Sequence, residues 1–151
     1  MRKLLVLLLA LGACKSAAPS TPAGSGRMTS GSSSAEQAVE NFLGAVRAGD
    51  LQAMGLLWGT EEGPAASQMD REQLEKRGLI MQCFFNHDSA RIVERLPSPS
   101  GTQIFRVELR KGTLTRAPTM RTVRGPSDRW YLNDGEIDAV KDFCRNPPGT
   151  R

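Results

Sequence analysis

An α+β fold is predicted for residues 35–151. Three observations predict it. Apolar residues recur at helical spacing through 35–58 and again after Asp70. The period then switches to two, with Phe105, Val107 and Leu109 alternating against Arg106, Glu108 and Arg110. Turn clusters at 97–101 and 125–128 divide the remainder into short segments. Helices followed by an antiparallel meander define the α+β class. The chain has 151 residues, room for one domain. It is too short for a TIM barrel or a protein kinase.

The N-terminus reads as a leader. Arg2 and Lys3 precede the apolar run Leu4 to Leu11. That run is shorter than the roughly 20 residues a membrane-spanning helix needs, and it has the length of a signal-peptide core. Leu11-Gly12-Ala13-Cys14 follows at once. This segment resembles the lipobox of bacterial lipoprotein precursors, with a branched apolar residue, two small residues and then Cys. The resemblance implies cleavage between Ala13 and Cys14 and lipidation of Cys14. Residues 1–13 are accordingly the expected signal peptide. One acyl chain holds a protein to a bilayer only marginally, so the several chains of that family imply stable anchoring. Lys15 in place of Asp favours the outer membrane, on its periplasmic side, by the same resemblance.

Residues 14–34 are the lipidated Cys and an expected flexible tether. Seventeen of the twenty residues in 15–34 are Ser, Ala, Gly, Thr or Pro. Such a stretch buries too little apolar surface to offset its ordering entropy, and its end-to-end distance is roughly 25 Å.

The folded unit is expected at 35–151. Ser34 and Gln37 form an S-x-x-Q capping signal. Ala35, Ala38, Val39, Phe42, Leu43 and Val46 then make one apolar helix face, and Gly49 suits the helix stop. Asp50 caps a second helix bearing Leu51, Met54, Leu57 and Trp58. Gly63-Pro64 marks a loop. A third helix starts at Ser67 or Asp70 and runs to about Phe85, with Leu74, Met81, Phe84 and Phe85 inward. Gly78 within it marks either a break or a close packing point.

Strands follow. Arg91 to Leu96 is β-compatible with poor alternation. Gln103 to Arg110 alternates cleanly and stops at Lys111-Gly112. Pro118 to Arg124 and Arg129 to Leu132 flank the turn Gly125-Pro126-Ser127-Asp128. A short final helix carries Ile137, Val140 and Phe143 inward, and Pro147-Pro148 ends it.

Two segments carry a second resemblance. Ala38-Val39-Glu40-Asn41-Phe42-Leu43 through Ala48-Gly49-Asp50-Leu51 is similar to the opening of nuclear transport factor 2-like domains. Thr122-Val123-Arg124 through Arg129-Trp130-Tyr131-Leu132 is similar to the closing strands of the small lipoprotein branch of that superfamily. The resemblance implies helices wrapped on a curved, cone-like sheet, often enclosing a cavity. That fold hosts enzymes, carriers and interaction modules, so it leaves function open.

Cys83 and Cys144 remain after Cys14. In an exported protein two such thiols are expected to pair, tying the last helix to the helical layer. Two thiols and one His make a poor metal site, and neither a metal nor a cofactor is expected. His87-Asp88 is the one pairing that hints at acid–base chemistry. Adjacent side chains diverge, so His87 reads as a helix-end cap or a surface residue. Tyr131 is the sole tyrosine and a candidate polar group for a cavity, or else a packed strand residue. No nucleophile elbow, zincin, P-loop or dinucleotide fingerprint occurs.

The formal charge is +4. It resides before residue 35, where Arg2, Lys3, Lys15 and Arg27 meet no acid; without these four, Lys+Arg falls from 20 to 16 and equals Asp+Glu. A nucleic-acid partner is therefore not expected. Charge is uneven along the domain: residues 35–75 hold eight acids and two bases, and 76–133 hold eleven bases and four acids. Arg106, Arg110, Arg121, Arg124 and Arg129 are candidates for one outer sheet face that meets an anionic partner.

The sequence reading is thus a membrane-anchored envelope lipoprotein. Its domain is non-catalytic and binds a small apolar ligand, a peptide segment or an envelope protein. The alternatives are a small cavity enzyme of isomerase or hydrolase type, or a structural protein docking through the arginine face.

Overall fold

A computed structural model describes residues 30–145. The expected signal peptide, the lipidation site Cys14 and most of the tether lie outside them. The fold is α+β. Four helices, α1 (Ala35–Ala48), α2 (Leu51–Leu57), α3 (Arg71–Phe85) and α4 (Lys141–Arg145), pack on a five-stranded antiparallel sheet. Its strands are β3 (Ser89–Leu96), β4 (Thr102–Lys111), β5 (Leu114–Arg116), β6 (Thr119–Arg124) and β7 (Trp130–Gly135), in the order β3-β4-β6-β7, with β5 pairing β4. Two short strands, β1 (Gly59–Thr60) and β2 (Gly63–Pro64), form a separate hairpin.

Local chemistry sets the helix ends. Ser34 Oγ accepts the Gln37 N–H and starts α1. Gln37 does not complete a reciprocal box, because its side-chain oxygen takes the Ser33 hydroxyl. Gly49 ends α1 at φ 69°, returning its N–H to the Ala45 and Val46 carbonyls. Asp50 and Asp70 cap α2 and α3 through the N–H groups of Ala53 and Gln73. Gly78 is a packing point rather than a break: a Cβ there would lie 3.2 Å from Leu51 Cδ2.

The period-two strand delivers the core. Phe105, Val107 and Leu109 of β4, Met120 of β6 and Leu132 of β7 meet Val39, Phe42 and Val46 of α1, with Phe85, Val140 and Phe143 beside them. Each is at most 2% exposed. Side chains thus fill the space between the helices and the inner face of the sheet. Cys83 and Cys144 are joined in a disulfide with Cα atoms 5.0 Å apart, linking α3 to α4.

Two irregularities re-aim the sheet. The β3–β4 register steps from Ile92↔Val107 to Glu94↔Arg106, leaving Val93 as a bulge. Ala90 and Ile92 therefore share a face with the core residues of β4, and beyond the bulge Arg95 falls on that face. There the Arg95 guanidinium sits 5.6 Å from the Phe105 ring and pairs with Glu36 of α1. This explains the poor alternation of 91–96. The other irregularity puts Asn133 as an extra residue in β7, and its side-chain amide donates to the Gly59 carbonyl.

The expected start of the folded unit at residue 35 is late. Residues 30–34, expected as tether, pack on the body. Ser32 is 2% exposed and exchanges backbone hydrogen bonds with Trp130, both at 2.8 Å. Arg129 donates to the carbonyls of Ser30 and Gly31. Composition alone signals flexibility here, but these backbone groups find partners on the β7 edge, which also pairs with Trp58 at Leu132.

Candidate functional site

The candidate site is a groove between α1 and β3, at the edge of the packed core. It is open to solvent on one side and holds about 170 Å³. Leu43 and Ile92, over the fully buried Val39 and Val107, form its apolar floor, and Glu40, Gly44, Arg47, His87, Ala90 and Arg91 complete it.

The helical period places one wall. Glu40, Gly44 and Arg47 fall at i, i+4 and i+7 on α1, beside the buried stripe of Val39 and Leu43. Glu40 and Arg47 are thus two turns apart, about 10 Å along the axis. Gly44 lies in the helix interior, where Gly costs about 1 kcal/mol relative to Ala. Most helical glycines with a structural reason sit against a neighbour, as Gly78 does. A Cβ on Gly44 would meet nothing within 4 Å. The space beside it is the groove.

The junction from α3 to β3 places His87. Phe85 is seated in the core at the end of α3, where Gly135 of β7 makes way for its ring: a Cβ on Gly135 would lie 2.6 Å from Phe85 Cζ. The next turn buries His87 to 5% exposure and turns Asp88 outward. Asp88 donates its backbone N–H to the Arg110 carbonyl, and its carboxylate accepts the Gly112 N–H. The two side chains diverge, as adjacent residues do. His87 caps the helix but is no surface residue. Its Nδ1 lies 2.8 Å from the Phe85 carbonyl, which only accepts, so Nδ1 carries the proton. Nε2 has no hydrogen-bond partner among the described residues and is not fully enclosed. Burial holds the imidazole below the ordinary value of 6.5. The Phe85 bond opposes this, the Arg47 charge adds to it, and Asp88 opposes it.

Arg47 makes no ion pair among the described residues, whereas Arg91 is 3.4 Å from Glu108 of β4. The groove is therefore dipolar: Glu40 at one end, an uncommitted guanidinium and a neutral imidazole at the other. It can hold a small amphipathic molecule by its apolar part and orient a polar head.

The other sequence candidates lie elsewhere. The five arginines do not form one cationic face. Arg106, Arg110 and Arg121 share the outer face of the sheet, where they pair with Glu94, Glu108 and Asp134. Arg124, three residues beyond Arg121, has the opposite strand parity and pairs with Asp128. Arg129 is turned back on residues 30 and 31. Tyr131 is a packed edge residue rather than a cavity group. A Cβ on Gly31 would lie 2.9 Å from one edge of its ring, and a Cβ on Gly125 2.8 Å from the other. Its hydroxyl is 3.0 Å from Ser30 Oγ. A wider, more open depression on the outer face, by Thr60, Glu62, Gln68 and Asn133, has a mostly polar lining. Among the described residues no cluster of three metal-ligating side chains occurs, and no helix is long and apolar enough to cross a membrane.

In the sequence the groove has one readable signal, Gly44, an interior helix glycine beside an apolar stripe.

No protein-family model and no curated protein matches the chain. Among solved structures it is similar to an NTF-2-like protein of unknown function from Shewanella oneidensis MR-1, at 16% identity and a TM-score of 0.40. The match covers 66% of this chain and 95% of that one. A likeness at that level carries no functional information, so function is argued from this chain's own residues.

Proposed function

We propose that this protein is a membrane-anchored envelope lipoprotein whose domain binds a small molecule, without catalysis, in the α1–β3 groove. The observation that carries the binding part is the groove itself: an apolar floor, polar groups at both ends, and a bare Gly44 where packing gives no reason for glycine. The anchoring part rests on the leader pattern and on Cys14, with Ala13 as the residue before the cut.

Two experiments test this reading. Metabolic labelling with an alkyne fatty acid should mark the chain in a bacterial host, and Cys14→Ser should lose the mark. An unlabelled wild-type chain contradicts anchoring. Native mass spectrometry of the chain released from membranes should show a small adduct that Gly44→Leu removes. An adduct that survives Gly44→Leu contradicts the groove.

A second reading, a small cavity enzyme, is favoured by one observation. A buried histidine lines the groove, its tautomer is fixed by a backbone carbonyl, and its Nε2 is a basic atom with no hydrogen-bond partner among the described residues. Deuterium wash-in separates the two. A binding protein returns its ligand unlabelled from D₂O, whereas a proton-transfer enzyme exchanges it, and His87→Gln stops the exchange.

A further inference from the structure

The groove's chemistry narrows what it takes, given the reading above that it is the binding place. Its volume is about 170 Å³, the scale of a small molecule. The groove is open to solvent along one side, so a chain of a few carbons suffices to fill it. Arg47 is a planar cationic donor with no ion-pair partner among the described residues, and a carboxylate matches its geometry. The floor between the polar ends is aliphatic throughout, with no Phe, Tyr or Trp among the lining residues.

The charged groups around the groove set further limits. Glu40 and Arg47 face it from α1. Asp88 adjoins His87 and bonds outward to the Gly112 N–H. Arg91 borders it from β3, but its side chain pairs with Glu108 of β4 on the outer face of the sheet. The far end of a ligand held at Arg47 therefore points along α1 toward Glu40. A second carboxylate at that end would meet a like charge.

We propose that the α1–β3 groove takes a short-chain aliphatic monocarboxylate: Arg47 holds the carboxylate, and the chain lies against Ile92 and Leu43, above the buried Val39 and Val107, in the space that Gly44 leaves bare. The neutral His87 sits beside the head group. A bound anion there favours its imidazolium, so binding strengthens as pH falls toward the histidine's range.

Isothermal titration of the full chain in nanodiscs, with empty nanodiscs subtracted, tests this with four probes: butyrate, hexanoate, hexan-1-ol and adipate. Hexanoate should bind about tenfold tighter than butyrate, since two more methylenes leave water. Adipate should bind at least about tenfold more weakly than hexanoate. Arg47→Gln should weaken hexanoate about tenfold and leave hexan-1-ol unchanged. Gly44→Leu should abolish hexanoate binding while raising the thermal midpoint, which shows that the variant is folded. If hexan-1-ol binds as tightly as hexanoate and Gly44→Leu blocks both, the groove stands and the carboxylate class falls. If hexanoate binds equally to Gly44→Leu, the groove reading itself falls. Silence of hexanoate at millimolar concentration overturns the proposal.

Discussion

Tyr131 and Gly31 are fitted to each other: the glycine takes φ 66°, and a Cβ on it would stand 2.9 Å from the tyrosine ring. The contact ties residue 31 to the edge strand β7, close to where the Tyr131 hydroxyl meets Ser30. It fixes where the N-terminal segment enters the body. Any tether to a membrane would begin at this edge, whereas the α1–β3 groove adjoins the opposite edge strand.

Gly31→Ala should therefore destabilise the protein by about 1–3 kcal/mol, combining strain at positive φ with overpacking against the ring. Urea unfolding checks this. Tyr131→Phe in the same assay should cost only about 1 kcal/mol, since it removes one hydrogen bond and keeps the ring.

Reduction of the Cys83–Cys144 bridge should cost at most about 4 kcal/mol, the chain-entropy figure for its separation of 61 residues. The loss should appear as a lower thermal midpoint in reductant. Hydrogen exchange should rise first in α4, the element that the bridge holds to α3.

Stability should fall as pH drops below about 6.5. The folded pKa of His87 lies below its unfolded value, chiefly through burial, so the unfolded chain binds the proton first. The contribution is whole above the unfolded value and is lost as pH falls through the folded one. His87→Gln should flatten this part of the stability profile. His87 is the only histidine, so its ring resonances report the titration without overlap.

The arginines should separate into two classes. Arg106→Gln or Arg121→Gln removes an exposed sheet-face pair and should change stability by no more than about 0.5 kcal/mol. Arg129→Gln strands two backbone carbonyls and should cost more, about 1–3 kcal/mol. Thermal midpoints of the three variants check the order.

These effects show which parts of the molecule the sequence could reveal. The helices were legible because Ser34, Asp50 and Asp70 cap them and their apolar residues keep the helical period. β4 was legible because it alternates without interruption. β3 was blurred because the Val93 bulge reverses its parity, so that Arg95 points to the core face. β5 was missed because Lys111-Gly112 reads as an end, when it opens a tight hairpin in which Lys111 pairs with Leu114. Residues 30–34 read as tether because serine and glycine carry no trace of the Arg129 and Trp130 groups that hold them. The groove was not legible because its walls, Gly44 and Ile92, belong to segments far apart in the chain. Only the fold brings them together. The five arginines misled for the reverse reason: charge is visible in a sequence, but the carboxylates that neutralise it are not assigned.

The most direct test of the central claim is a chemical-shift map of the ¹⁵N-labelled chain titrated with hexanoate. Shifts confined to Gly44, Arg47, His87 and Ile92 are the predicted result. Shifts on the outer sheet face around Arg121, with Gly44 and His87 unmoved, would contradict it.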